Sequence, residues 1–255
     1  MSIRPYVLAE TNWKTVKATD YDVAVLPWGS TEAHNYHLPF GTDTMQAGYI
    51  ATEAARKAWE RGTRVVVLPA VPYGVNTGQL DIKLDMNVFP STQAAFLHDI
   101  LDAVSRTSIR RFIVLNGHGG NNFRQIIREL GAKFTSMFIC QIDFFRVADP
   151  KEFFERPEDH AGEMETSVMM KIAPELVLPL EEAADGSAKT FKLTGLKEGW
   201  AWAERHWQSV TESTGVGDPA LATREKGERY LDVITTKVAR FYEELAAADL
   251  NALYE

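Results

Sequence analysis

Cysteine is the scarcest resource in this chain: 255 residues contain one, Cys140. A lone thiol excludes an internal disulfide and a cysteine zinc cluster, so any metal or acid chemistry falls to other residue types. Long apolar runs are missing as well. No stretch approaches the ~18 apolar residues that a membrane-spanning helix needs, and the N-terminal MSIRPYVLAETNWK has no apolar signal-peptide core. The expectation is a soluble, cytoplasmic protein with no membrane partner. Basic residues are in the minority, 27 Lys plus Arg against 35 Asp plus Glu, giving a net charge of −8. Phosphate-driven nucleic-acid binding would work against that charge, so nucleic acid is excluded as a partner. Repeats, low-complexity tracts and linkers are absent, which predicts one domain over residues 1–255.

What is present is a series of short, β-branched or aromatic runs bounded by Gly, Pro or Asn. They are Val23 to Pro27, Arg64 to Pro69, Arg111 to Leu115, and Met137 to Ile139. Such runs fit strands buried on both faces. Helical spacing lies between them, over 43–61, 92–105 (Ser91 or Thr92 as N-cap), 122–134, 163–173 and 220–249. Strands alternating with helices predict an α/β fold with a mainly parallel sheet. Residues 179–219, rich in Gly and carrying Trp200, Trp202 and Trp207, read as a long surface excursion that could shape a site.

Three segments carry chemistry. After the first strand comes GSTEAHNYHLPFGTDT, with Glu32 and His34 two apart and Asp43 opening the next helix. In an extended segment Glu32 and His34 point to one side, and sheet carboxyl ends are where α/β proteins place their sites. Mixed oxygen and nitrogen donors suit Zn or Mn. A hydrogen-bonded turn with Asp43 as N-cap is the other reading of the same residues. After the third strand comes NGHGGNN, where His118 sits at a strand end among glycines that allow close backbone approach. It lacks the spacing of a phosphate loop. The third segment is HAGEMETS, with His160, Glu163 and Glu165 at a helix entry. In a helix Glu163 and Glu165 stand about 200° apart, so only one faces inward. His37 is expected to support the others, His98 to be structural, and His206 to lie at the surface.

These pieces, with the late stretch GVGDPALATREKGE, resemble the creatininase family of metal hydrolases over nearly the whole chain. The resemblance implies a three-layer α/β/α sandwich and two divalent metal ions, Zn, Mn or both, with Fe also compatible. It implies hydrolysis of a C–N bond in a small amide-like substrate, and a homo-oligomer, with a hexamer favoured. Carried over by position, Glu32, His34, Asp43 and His118 become metal ligands, with Asp43 as the bridge, and His160 a catalytic histidine. The resemblance also makes Thr77 a candidate for substrate contact, beside Gly119 and the two tryptophans of GWAW, Trp200 and Trp202, which could close over a substrate. The chain departs from creatininase itself, which has a Tyr-Glu pair after the histidine where Gly119 and Gly120 stand here. Glu163 is expected to replace the lost ligand from across the site, with Glu165 carrying protons and as its rival for the ligand role. Creatininase also has Trp and Asp near the position of Arg156 and Pro157. Small cyclic amides and formamides therefore lead as substrates. Peptide trimming, ring opening of an oxidised cyclic polyol, and a non-catalytic metal-binding subunit are the alternatives.

Overall fold

Four of the short runs pair into one parallel sheet. A computed structural model describes residues 3–255. Its strands are β1 (Val23–Trp28), β2 (Val65–Val67), β3 (Arg111–Asn116) and β4 (Phe138–Asp143), in the spatial order β2-β1-β3-β4. Val25 stands level with Ile113, and Ile113 with Cys140. β1 is buried along its whole length, as expected of a strand covered on both faces. Side chains alternate between the faces. Val23, Val25, Ile113 and Leu115 join one core cluster, and Ala24, Leu26, Phe112 and Val114 join the other.

Helices close both faces and complete the three layers. α2 (Thr42–Glu60) and α8 (Arg224–Ala247) cover the first core, with α5 (Glu163–Ile172) packed against both. α3 (Pro90–Ser105) and α4 (Arg124–Lys133) cover the second, beside the short α1 (Trp13–Lys17). α3 begins earlier than the Ser91 or Thr92 cap predicts, because Pro90 takes the first helical turn, where its missing N–H costs nothing. α8 spans 224–247 rather than 220–249 and is capped by Thr223, which accepts from the Lys226 amide. None of the described helices is long and apolar enough to cross a membrane.

The excursion between α5 and α8 contains only short elements, among them α6 (Thr194–Lys197) and α7 (Trp207–Val210). Its end, β6 (Val216–Gly217), pairs antiparallel with β5 (Glu158–His160), the strand that leads into α5. Cys140 lies half-buried in β4 with its thiol free, and burial pushes that thiol up to about 12. It is a packing residue, remote in chemistry from any nucleophile.

Candidate functional site

Histidines and carboxylates converge at the carboxyl end of the sheet. Glu32 and His34 follow β1, His118 follows β3, and Asp43 sits in the first turn of α2. Gly41 takes the N-cap position, so the reading of Asp43 as a cap is overturned. Gly117 makes the meeting of α2 and β3 possible, since a Cβ there would stand 2.7 Å from the Asp43 carbonyl oxygen. All four side chains are buried.

Ring orientation is set by backbone carbonyls. His34 donates from Nδ1 to the Glu32 carbonyl at 3.0 Å. Its other nitrogen, Nε2, then faces Asp43 Oδ1 at 3.0 Å and Glu165 Oε2 at 3.9 Å. His118 is arranged in mirror fashion: Nε2 donates to the Val75 carbonyl at 3.1 Å. Its Nδ1 lies 2.6 Å from Glu32 Oε1 and 3.0 Å from Asp43 Oδ2. Those last two oxygens are buried without a well-aligned hydrogen-bond partner among the described residues. In a neutral ring, the second nitrogen is a lone pair aimed at carboxylate lone pairs. A bound metal ion would reconcile that arrangement, as protonation of the rings does without one, and a carbonyl-anchored histidine is a common support for a metal ligand. The donors form groups that could hold an ion: Glu32, Asp43 and His118; His34, Asp43 and Glu165; and Glu32, His34 and His160. Asp43 offers one oxygen to each of the first two groups.

Glu163 does not join them, which corrects the expected swap. Its Oε2 accepts from the Glu155 and Arg156 amides at 2.9 and 2.8 Å, and its Oε1 pairs with Lys226 Nζ from α8 at 2.5 Å. Glu165, on the opposite side of α5, turns its carboxylate toward His34 and accepts from the Ala161 amide at 2.5 Å. Ala161 adopts a left-handed backbone conformation (φ 55°) that aims this amide. Glu158 reaches from β5 to cap α5, accepting from the Met164 and Glu165 amides. Burial, with the charge of Glu165 beside it, pushes the Glu158 carboxyl up to about 8.

His160 donates from Nε2 to the Ala33 carbonyl at 2.8 Å, and its ring lies 4.1 Å from that of His34. Asp85 accepts from the Ala33 amide at 2.7 Å, so the peptide between Glu32 and His34 is held from both sides. His37 bonds Thr166 at 2.8 Å and stays neutral, because burial and nearby His34 push it down to about 4. His98 is half-exposed on α3 against Phe134, and His206 pairs with Asp81 at the surface.

A cavity of about 350 Å³ opens above these residues, lined by Glu32, His118, Gly119, His160, Trp202 and Arg205 among others. Trp200 does not line it. That ring is exposed and bonded to Glu198, which corrects its expected contact with substrate. Thr77 bonds Glu204 instead of lining the cavity, although its neighbours Asn76 and Gly78 do. Gln79, which donates to Glu32, and Trp207, which stands edge-on to His160 at 5.5 Å, are site residues that sequence reasoning missed. Nothing in their local sequence sets Gln79 or Trp207 apart from surface neighbours.

The glycines of NGHGGNN are not equivalent. A Cβ on Gly119 meets nothing within 4 Å, whereas one on Gly120 would stand 2.4 Å from both His118 Nε2 and the Val75 oxygen. Gly120→Ala is expected to wedge that hydrogen bond apart and weaken metal binding by roughly 10–100-fold, the usual cost of losing such a support. Gly119→Ala should leave it unchanged. Metal titration of both variants checks this, and equal effects would contradict it.

Charge follows from the same contacts. Burial opposes protonation of His34, but Asp43, Glu165 and Glu32 outweigh it and push the ring up to about 10. His118 is raised well above its ordinary value by Glu32 and Asp43, again against burial. Burial also opposes the charge on Asp43, yet the two histidines hold its carboxyl far below the usual range. A raised histidine stabilises the metal-free fold fully below the unfolded value of ~6.5, and that contribution is lost as pH rises through the folded value. Metal-free protein is therefore expected to lose thermal stability between pH 7 and about 10. Zn- or Mn-loaded protein, whose rings are already neutral ligands, should not show this loss. Melting curves in both states test it, and parallel pH profiles would contradict it.

The family model described as creatinine amidohydrolase matches residues 9–242. The mycofactocin precursor peptide peptidase of Mycolicibacterium smegmatis (strain ATCC 700084 / mc(2)155) is 30% identical over 214 residues, 81% of this chain and 78% of that protein. A solved structure of a candidate creatinine amidohydrolase from Bacteroides fragilis NCTC 9343 is 44% identical over the full length of both chains, with a TM-score of 0.93. Creatininase structures in manganese and Zn-Zn forms share the fold at 21% identity, with TM-scores of 0.77 and 0.75 over 95% of this chain and 99% of theirs.

Proposed function

The chain belongs to the creatininase family of hydrolases, and from that premise we propose a metal-dependent amidohydrolase. Its substrate is a small cyclic amide or formamide, cleaved at the C–N bond by a metal-activated water. One observation carries the reading: two carbonyl-anchored histidines aim their second ring nitrogens at carboxylates, and Asp43 gives one oxygen to each group.

In this reading Glu32, His118 and Asp43 would hold one divalent ion, and His34, Asp43 and Glu165 the other, Zn or Mn as in the creatininase structures. Such ions supply a water acidic enough to ionise near neutral pH and a Lewis acid for the carbonyl oxygen. The chain's own residues do the rest. His160, fixed through Nε2 to the Ala33 carbonyl, keeps Nδ1 to carry a proton to the departing nitrogen. Gly119 leaves room for substrate on the side of His118. Trp207 holds the His160 ring edge-on and shields it from water. A homohexamer belongs to the same reading, and light scattering tests it.

The decisive screen loads the purified protein with Mn or Zn and offers lactams, hydantoins, formamides, short peptides and oxo-inositols. Turnover of an amide or formamide that vanishes on chelation is the expected result. No turnover of any of them, with two ions bound per chain, would instead mark a metal-binding subunit.

A further inference from the structure

Among the described residues, Arg205 is the one Arg or Lys side chain that lines the cavity above the candidate metal centre. It is held there from two directions. Nη1 pairs with Asp159, the residue before His160, and the guanidinium lies over the Trp207 ring at 4.5 Å from its centroid. Trp207 in turn abuts His160. The guanidinium is thus fixed two contacts away from the centre, on the cavity wall. Its Nε and Nη2 make no hydrogen bond to the described residues. A guanidinium presents Nε and one Nη as a planar fork that matches the two oxygens of a carboxylate. Glu204, which also lines the cavity, accepts from the Thr77 hydroxyl through Oε1.

We propose that the fork of Arg205 receives a carboxylate of the substrate, so that the amide hydrolysed here belongs to a molecule carrying an acidic group. Asp159 orients the fork and Trp207 supports its face, while the scissile carbonyl lies toward Asp43. The inference rests on the metal-hydrolase reading and adds to it a chemical class.

Hydroxamates test it, because they bind divalent metal without being turned over. Calorimetry on Mn-loaded protein would compare acetohydroxamate with the mono-hydroxamates of malonic, succinic and glutaric acids, each beside its neutral carboxamide counterpart. At least one acid should bind about tenfold or more tighter than its carboxamide, as a charge-assisted bidentate pair does. Arg205→Met should bring the two within about twofold while acetohydroxamate still binds, and Arg205→Lys, a point charge without the fork, should keep part of the preference. The wild-type comparison stands even if a variant fails to fold. If acetohydroxamate binds but no acid is preferred at any chain length, or the preference survives Arg205→Met, the carboxylate subsite is overturned alone. If acetohydroxamate does not bind at all, the metal-centre reading falls and takes this inference with it.

Discussion

Asp43→Asn is expected to strip both ions from the protein and lower kcat/KM by about a thousandfold or more, roughly 4 kcal/mol of transition-state stabilisation. The reason is the division of its carboxylate. Oδ1 faces His34, and Oδ2 faces His118. An amide supplies one acceptor oxygen and, on the other side, N–H donors. Those donors would satisfy a bare histidine nitrogen without any cation, so one group loses a ligand and each group is left with a single carboxylate to draw its ion. Metal content by mass spectrometry and steady-state kinetics on the substrate found by the screen read the two effects separately. Retention of two ions per chain would mean that Asp43 is not shared.

Glu165→Gln and Glu163→Gln should behave oppositely, although only Met164 separates them. Glu165→Gln is expected to reduce the metal content to about one ion per chain, because its carboxylate faces His34 and Asp43. The fold should survive, since Gln keeps an oxygen for the Ala161 amide. Glu163→Gln is expected to keep both ions and to destabilise the protein by about 2–3 kcal/mol. Removing one member of a buried ion pair costs ~3–5 kcal/mol, and the partial solvation of Lys226 lowers that figure. Metal content and urea unfolding of the two variants decide the matter. Loss of an ion in Glu163→Gln with stability unchanged would restore the swap that the sequence suggested.

That pair shows where sequence reading stops. Helical geometry says that residues two apart face apart, but not which one faces the site. The choice rests on Lys226, 63 residues later, which anchors Glu163 from α8. Long-range partners of this kind leave no local trace. The same holds for the tryptophans. Trp200 and Trp202 are the more conspicuous in GWAW, yet Trp207 is the one packed beside His160, because the excursion folds back through β6 onto β5. By contrast, β1 and β3 were legible because strands covered on both faces must be apolar throughout. The placement of Glu32, His34 and His118 followed from them, since each lies within a few residues of a strand's carboxyl end. The start of α3 was misplaced: the hydroxyls of Ser91 and Thr92 suggested a cap, but Pro90, with its preset φ, already takes the first turn.

The most direct test of the account is the location of bound metal. Crystals of Mn- or Zn-loaded protein, with anomalous difference maps collected at the metal edge, should show two peaks per chain on either side of Asp43. One peak should touch Glu32 and His118, and the other His34 and Glu165. A single peak, peaks that leave Asp43 untouched, or an ion on Glu163 would contradict it.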